Sequence, residues 1–465
     1  MSNPVVEKQE FQLYPLNKSN TNTYSYYASN PLLTFEFQMN PSRQIKPDSL
    51  RLIGKLRIKQ RANDDKAPAN RFDIVAEAAA DANQKVCYLD DRVSVSSVIQ
   101  TLTISNLKGQ IFEQVKEYPR MLSSLIGATA SYKDLCSVYQ NTWGSQANQD
   151  CVSRSVCGDV PFALSLRSGF LMEKQPISLS NGGIRISVNL ASDNQVLYGA
   201  DAADFVYELH DVYLAGNYLV LEKPQAPQKG AIIQYHQFYN YLNTLNSGND
   251  HNNLALNLKE VVSIYSNFVP SNWTSNFAYN GLSTPKVMST GNAVVDINDT
   301  SFMRGAVKYP LEFAIDETLQ NNNGVFDCLR SRNFLNAISS YNQLHHTTIS
   351  PSSEAQSNMV DGRENIWQTP QTVDSGEIGS WTFAAAGAWS RATATANIEK
   401  SGRVYGVGFR ADGLSVDEAQ DYSQASYNFG LKSGHDSQNP NSIYTFCLAK
   451  SVVLADGQGG VVSQH

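Results

Sequence analysis

Charge is scarce in this chain, and so are the residue patterns that usually carry chemistry. Asp, Glu, Lys and Arg make up 17% of the 465 residues, and the formal net charge is −7. A protein that condenses nucleic acid directly carries a basic patch or arm, and none is visible here. The densest basic run, Arg51 to Arg61 (RLIGKLRIKQR), alternates its charges with Leu52, Leu56 and Ile58, which predicts the wet face of a strand. We therefore expect no direct, sequence-specific nucleic-acid binding. No stretch approaches ~18 continuous apolar residues, which excludes a membrane-spanning helix. Met1 to Glu10 (MSNPVVEKQE) has no basic start followed by an apolar run, so no signal peptide is expected.

Cysteine is sparse too. Cys87, Cys136, Cys151, Cys157, Cys328 and Cys447 form no CxxC pair. With irregular spacing and no secretion signal, they are expected to be mostly reduced thiols. The sequons at Asn17, Asn272 and Asn298 then carry little meaning.

The catalytic signatures are missing as well. There is no Gly-x-Ser-x-Gly elbow, no His-Glu-x-x-His and no phosphate loop ending in Gly-Lys-Ser/Thr. His345 and His346 are neighbours, and on a helix they would point about 100° apart rather than share a face as i, i+4 ligands do. Gly406-Val407-Gly408 begins like a dinucleotide fingerprint but lacks the third glycine and sits in a strand-like run. Asp90-Asp91 and Asp316-Glu317 are adjacent pairs, whereas acid/base pairs must oppose each other across a substrate. Trp381 and Trp389 could stack on sugars, although packing is the commoner use of such rings. The expectation is no catalytic residue, no cofactor, no metal and no enzyme.

What is present is strand pattern. With 23 Tyr and 19 Phe, the composition suits half-buried pleated surfaces. Leu33 to Met39 and Ile184 to Leu190 alternate cleanly. Leu209 to Leu221 reads as one or two strands with a break at Gly216-Asn217. In Leu89 to Met121, Val93 and Val95 alternate with Ser94 and Ser96, and the phase then slips by one before Val98, Gln100, Leu102 and Ile104. That slip predicts a β-bulge between Val95 and Val98. The chain then turns at Asn106-Leu107-Lys108-Gly109 and returns through Ile111 and Val115. Later strands are expected in Ala231–Asn240, Asn257–Val269, Val307–Ile315, Arg403–Phe409, Tyr427–Leu431 and Ile443–Leu454. Helices are expected only within Pro119–Gln140 and Val325–His346, as insertions in a β framework.

The layout follows. Residues 1–30 are polar and read as an N-terminal arm, 31–222 as a first domain and 223–230 as a Pro/Gln linker (EKPQAPQKG starts at Glu222). Residues 231–465 read as a second domain. Each half carries about eight strands, which predicts an all-β protein of two eight-stranded antiparallel jelly rolls with small helical insertions.

Several stretches carry a resemblance. "ISNLKGQIFEQVKEYPRM" (Ile104–Met121), Pro176–Leu190, Tyr207–Leu219, Val404–Leu414 and Ser442–Leu454 together resemble double jelly-roll major capsid proteins, those of polinton-like viruses and virophages in particular. The resemblance implies a homotrimeric, pseudo-hexagonal capsomer that tiles the icosahedral shell of a double-stranded DNA virus. It implies the chain itself as first partner, then penton and minor capsid proteins, with an internal membrane as a further candidate. The protein would be made inside the host cell and reside in the virion. Residues 1–30 would order on assembly, and Tyr235–Tyr241 and Trp381–Trp389 are candidates for burial between subunits, beside a plain core role. The alternative is a secreted or surface β-sandwich protein that binds or acts on carbohydrate.

Overall fold

The computed structural model describes residues 4–18, 21–61, 89, 93–122, 160–173, 175–198, 202–245, 251–271, 274–277, 281–282, 297–309, 315–316, 371–374, 381–384, 388–391, 393–398, 404–408, 421–433 and 441–464. The expected helix at Val325–His346, the pairs His345-His346 and Asp90-Asp91, and five of the six cysteines lie outside these residues. So does the expected helix at Pro119–Gln140 beyond Leu122. Cys447 is buried and free.

Among the described residues, eleven strands occupy the first half: β1 (Val5–Leu13), β2 (Thr23–Tyr24), β3 (Leu32–Phe37), β4 (Arg43–Ile45), β5 (Arg51–Gln60), β6 (Ile99–Asn106), β7 (Ile111–Lys116), β8 (Val160–Ser165), β9 (Ile177–Ser178), β10 (Ile184–Leu190) and β11 (Phe205–Leu221). β11 is the spine of one sheet. β5 and β4 pair end to end along one of its edges, and β2 and β1 along the other. β8 and β9 continue beyond β5 and β4. The facing sheet runs β3-β10-β6-β7. Taking β1/β2, β4/β5 and β8/β9 as single interrupted strands leaves eight. Their order is first-eighth-third-sixth in one sheet and second-seventh-fourth-fifth in the other, which is a jelly roll.

The second half repeats that order. Its strands are β12 (Ile232–Leu245), β13 (His251–Leu254), β14 (Val261–Pro270), β15 (Ile297–Arg304), β16 (Val307–Tyr309), β17 (Ile315–Asp316), β18 (Gln371–Asp374), β19 (Trp381–Ala384), β20 (Ala388–Arg391), β21 (Thr393–Ile398), β22 (Val404–Gly408), β23 (Tyr427–Ser433), β24 (Asn441–Ala455) and β25 (Val461–Gln464). One sheet is β12-β24-β14-β22, the other β13-β23-β15-β16 with β17 also on β15. With β16/β17 as one strand, these are again first-eighth-third-sixth and second-seventh-fourth-fifth. The hairpin β19–β20 and the pair β18–β21 fall between the fifth and sixth strands, and β25 folds back on β24.

Alternation explains most of these elements. In β10 (IRISVNL) the odd-placed Ile184, Ile186, Val188 and Leu190 are buried and Asn189 is exposed. In β5, Leu52, Leu56 and Ile58 are buried while the basic residues between them are half-buried, as the run predicted. Most of the buried apolar residues described in both sandwiches belong to one continuous cluster.

Three expectations need correction. The stretch Ser94–Val98 is a 3-10 helix and not a bulged strand. Residues three apart lie over each other in a 3-10 helix, so Val95 and Val98 are both fully buried without strand alternation. The bulge falls in the returning strand, where Ile104 opposes Glu113 and Ser105 opposes Ile111. Phe112 is the extra residue, and the broken alternation buries both Phe112 and Glu113. Second, β11 does not break at Gly216-Asn217. A Cβ on Gly216 would stand 2.8 Å from the Leu50 side chain and 3.0 Å from Phe11, so close packing requires the glycine. The irregularity in β11 is at Asp211, with φ of 53°. Third, the first 30 residues carry strands. β1 lies antiparallel to β11 from Val5↔Leu221 to Leu13↔Leu214. Backbone pairing needs no apolar periodicity, and the first six residues of β1 are exposed.

Candidate functional site

Two jelly rolls in one chain must be joined, and the seam between them holds the most unusual chemistry among the described residues. β12, the first strand of the second sandwich, lies beside β7, the fifth strand of the first. The two do not form a ladder. Side chains finish the edge instead.

Glu113 on β7 is 1% exposed. Its Oε1 accepts the backbone N–H of Phe238 on β12 at 2.7 Å and of Gly169 at 2.9 Å, and its Oε2 accepts that of Phe170 at 2.8 Å. Burial pushes its pKa up, and these hydrogen bonds together with one from Ser168 oppose the rise. Two residues along, the backbone N–H of His236 donates to Glu173 Oε1 at 2.8 Å, and His236 Nδ1 lies 2.7 Å from the same oxygen. Two glutamates of the first sandwich therefore accept the N–H groups that β12 would otherwise offer to another strand. In return, Tyr235 Oη donates to the carbonyl of Phe112 at 3.0 Å and Asn240 Nδ2 to that of Lys116 at 2.6 Å.

The dry part of the seam is aromatic. Phe112 stacks on Phe170 with centroids 5.3 Å apart, and Tyr235 meets both rings edge-on. Such pairs add about 1 kcal/mol each beyond their buried area. Gly169 passes so close to β12 that a Cβ would lie 2.3 Å from the His236 carbonyl oxygen. Beyond β7, Arg120 is 2% exposed. Its Nε bonds Glu117 at 3.0 Å, Nη1 donates to the carbonyl of Gly281, and the guanidinium lies 4.3 Å from the Tyr444 ring centroid.

The other end of the seam is closed by the β24–β25 turn. Gln110 pairs with both the N–H and the carbonyl of Val461, at 2.8 and 2.9 Å. Lys108 lies 3.0 Å from Asp456. The N–H groups of Gly460 and Gln458, with that ammonium, bring Asp456 down to about 2.

A second polar chain sits on the first sandwich. Thr23 Oγ1 lies 3.1 Å from His210 Nδ1, His210 Nε2 lies 3.1 Å from Glu208 Oε2, and Glu208 Oε1 lies 2.6 Å from Lys59 Nζ. Burial raises the Glu208 pKa, but His210 and Lys59 outweigh it and bring it to about 2. The order hydroxyl, imidazole, carboxylate imitates a nucleophile with its base. Here Lys59 neutralises the carboxylate, and Thr23 Oγ1 also donates to the Thr21 carbonyl. The chain works as cross-strand glue.

The residues weighed for chemistry in the sequence fall elsewhere. Gly406-Val407-Gly408 lies in β22, a strand. Trp381 and Trp389 fall on the paired strands β19 and β20. Among the described residues no group of His, Cys, Asp and Glu is arranged to hold a metal ion. Tyr235 and Phe238 are buried in the seam within the chain. No sequence pattern singles out Glu113, Glu173 or Gly169, because the groups they meet lie 56 to 125 residues away in most cases.

The whole-chain architecture has counterparts of known structure. The chain superposes on the capsid protein in a quasi-atomic model of the PBCV-1 virus capsid with a TM-score of 0.51, at 10% identity, covering 100% of this chain and 98% of that one. It superposes equally on PBCV-1 VP54 as fitted into a reconstruction of the virophage Sputnik, with a TM-score of 0.50, 10% identity and the same coverage. Its fold is similar to that of these virus capsid proteins. The match covers both halves of the chain, and the double jelly roll expected from the strand layout is the observed fold. No protein-family model matches the chain, and no curated sequence does.

Proposed function

We propose that this chain is a major capsid protein, a structural protein and not an enzyme. The observation that carries the reading is the paired architecture. Two sandwiches of identical strand order lie in one chain, and the whole chain superposes on a PBCV-1 capsid protein. In this reading the first jelly roll runs to residue 222, with its first strand supplied by β1 and β2 from residues 1–30, 231–465 is the second, and 223–230 is their linker. Residues 1–30 act in contacts between copies. Three copies form a pseudo-hexagonal capsomer, because two similar units per chain present six units around a three-fold axis. Capsomers tile an icosahedral shell, with penton and minor capsid proteins as further partners and an internal membrane as a further candidate. The virion is the site of residence, after synthesis inside the host cell.

A wall protein needs rigid units and defined edges, and the seam chemistry supports that use. Purified protein examined by light scattering should give about three times the chain mass of 51.3 kDa. Electron micrographs should show near-hexagonal particles. A monomer at every concentration would remove this reading and favour the carbohydrate-binding alternative.

A further inference from the structure

The first strand of the first jelly roll is interrupted between β1 and β2, and the interruption has a use. Leu13 and Thr23 both pair with β11. Between them the chain leaves that sheet and crosses to the other. The Tyr14 ring still lies 5.9 Å from that of Tyr213 on β11. Pro15 is buried and brings no N–H that would need a partner. Leu16 and Asn17 then lie along β3, the edge of the facing sheet, which pairs with β10 alone among the described strands. The Lys18 N–H closes the turn on the Pro15 carbonyl at 3.2 Å, and the Lys18 ammonium lies 4.2 Å from the Tyr14 ring centroid.

On the side away from β10, three backbone groups of β3 meet this detour. The Leu16 N–H donates to the Thr34 carbonyl at 2.7 Å. Asn17 Oδ1 accepts the Thr34 N–H at 3.3 Å, and Asn17 Nδ2 donates to the Leu32 carbonyl. A carboxamide offers an acceptor and a donor side by side in one plane, as a peptide group does. Asn17 therefore stands where a neighbouring strand would put its backbone. An uncovered strand edge is a template for another chain. We propose that residues 14–18 are a lace that closes the open side of the first sandwich, with the Asn17 carboxamide as the stand-in peptide group that denies the Leu32–Thr34 edge to a strand of another copy. The asparagine of the sequon at Asn17 thus has a structural use, because the nitrogen a glycan would occupy is the one that holds Leu32. The lace belongs to the single chain and does not depend on the capsid reading.

Hydrogen exchange on the dilute full chain, resolved to single amides by mass spectrometry with electron-transfer fragmentation, tests the lace. Asn17→Ala should speed exchange of the Thr34 amide about tenfold, the worth of one lost hydrogen bond, and leave Ile186 on β10 unchanged. Lys18→Ala, which removes the ammonium over Tyr14 and no hydrogen bond to β3, should exchange at Thr34 as the parent does. Concentrated Asn17→Ala should also raise thioflavin T fluorescence over time, a sign of strands added edge to edge, while the parent stays dark. Thr34 exchange that is equal in the parent and Asn17→Ala, or equally fast in Lys18→Ala, overturns the role of the carboxamide. A freed Thr34 with no thioflavin T signal overturns the denial of the edge to other chains.

Discussion

β12 and β1 begin their jelly rolls from equivalent places, yet one edge is finished inside the chain and the other faces solvent. The difference is chemical. β12 meets two carboxylates, an aromatic cluster and a glycine that lets the backbones touch. β1 offers exposed Val5, Val6, Glu7, Lys8 and Glu10, and only Phe11 and Leu13 at its far end are half-buried. A sheet edge is a liability in a soluble chain. Here one edge has been converted into the joint between the two sandwiches, and the other carries exposed charged residues. What the pair teaches is that the covered edge should be intolerant of change and the bare edge tolerant, as far as the stability of one chain is concerned.

The largest expected effect is at Glu113. Glu113→Ala leaves three buried backbone N–H groups without an acceptor, and each such group costs about 1–3 kcal/mol. A loss of roughly 4 kcal/mol in urea unfolding is expected, with the second sandwich released first. Glu113→Gln should lose less and should also remove a pH dependence. Burial holds the folded-state pKa of Glu113 above its unfolded value. The stability linked to its proton is therefore full below the unfolded pKa and lost as pH rises through the folded one. The advantage of the parent over Glu113→Gln should shrink over that rise. An advantage that grows with pH would show that the N–H donors outweigh burial.

Gly169→Ala comes next. The new methyl would collide with the His236 carbonyl and the Gln237 Cα, both backbone atoms that cannot swing aside. Overpacking of this kind costs about 1–3 kcal/mol, and the upper end is expected. Differential scanning calorimetry should show the loss, with the transition splitting if the two sandwiches come apart. An unchanged single transition would mean the seam has slack.

Glu208 sharpens the contrast from the opposite side, because it is a second buried glutamate with the opposite sign. Its folded pKa of about 2 lies below the ordinary value of 4.5. The stability it contributes is present above the unfolded pKa and lost as pH falls from about 4.5 through about 2. Glu208→Gln should cost roughly 2 kcal/mol at neutral pH, since a buried charge-assisted pair with Lys59 is broken. The variant should also unfold over a flatter acid limb. Equal acid sensitivity in parent and variant would assign that limb to other carboxylates.

How much of this is legible in the residues alone depends on the range of the interaction. Alternation in Leu33–Met39, Ile184–Leu190 and Arg51–Arg61 places β3, β10 and β5 within a residue or two. The turn at Asn106–Gly109 is legible because Gly109 needs φ of +85° and Asn106 Oδ1 accepts the Gln110 N–H at 2.8 Å. Val93 to Val98 misleads, because valines two and three apart suit a slipped strand and a 3-10 turn alike. β1 is invisible as a strand, because its partner β11 lies some two hundred residues on and its first six residues are exposed on both faces. Glu113 looks like one more polar residue on a hairpin. What makes it the joint is the bulge at Phe112 and three amides from distant segments, and no local pattern encodes those.

The smallest effect is expected at the bare edge, and it decides whether the comparison holds. Val6 has two-thirds of its surface in water and stands where the β1–β11 register slips. Replacing it with Thr keeps the β-branch and removes little buried area, so the stability of the isolated chain should stay within about 0.5 kcal/mol of the parent. The measurement must be made on dilute protein, because anything that binds the folded edge adds stability by mass action. If Val6→Thr is neutral when dilute but lowers the unfolding midpoint at high concentration, the edge is bare in the single chain and covered in the assembly. A loss of about 2 kcal/mol in the dilute chain would mean β1 is already buried against its own chain. The two first strands would then be alike, and the difference drawn between them would vanish.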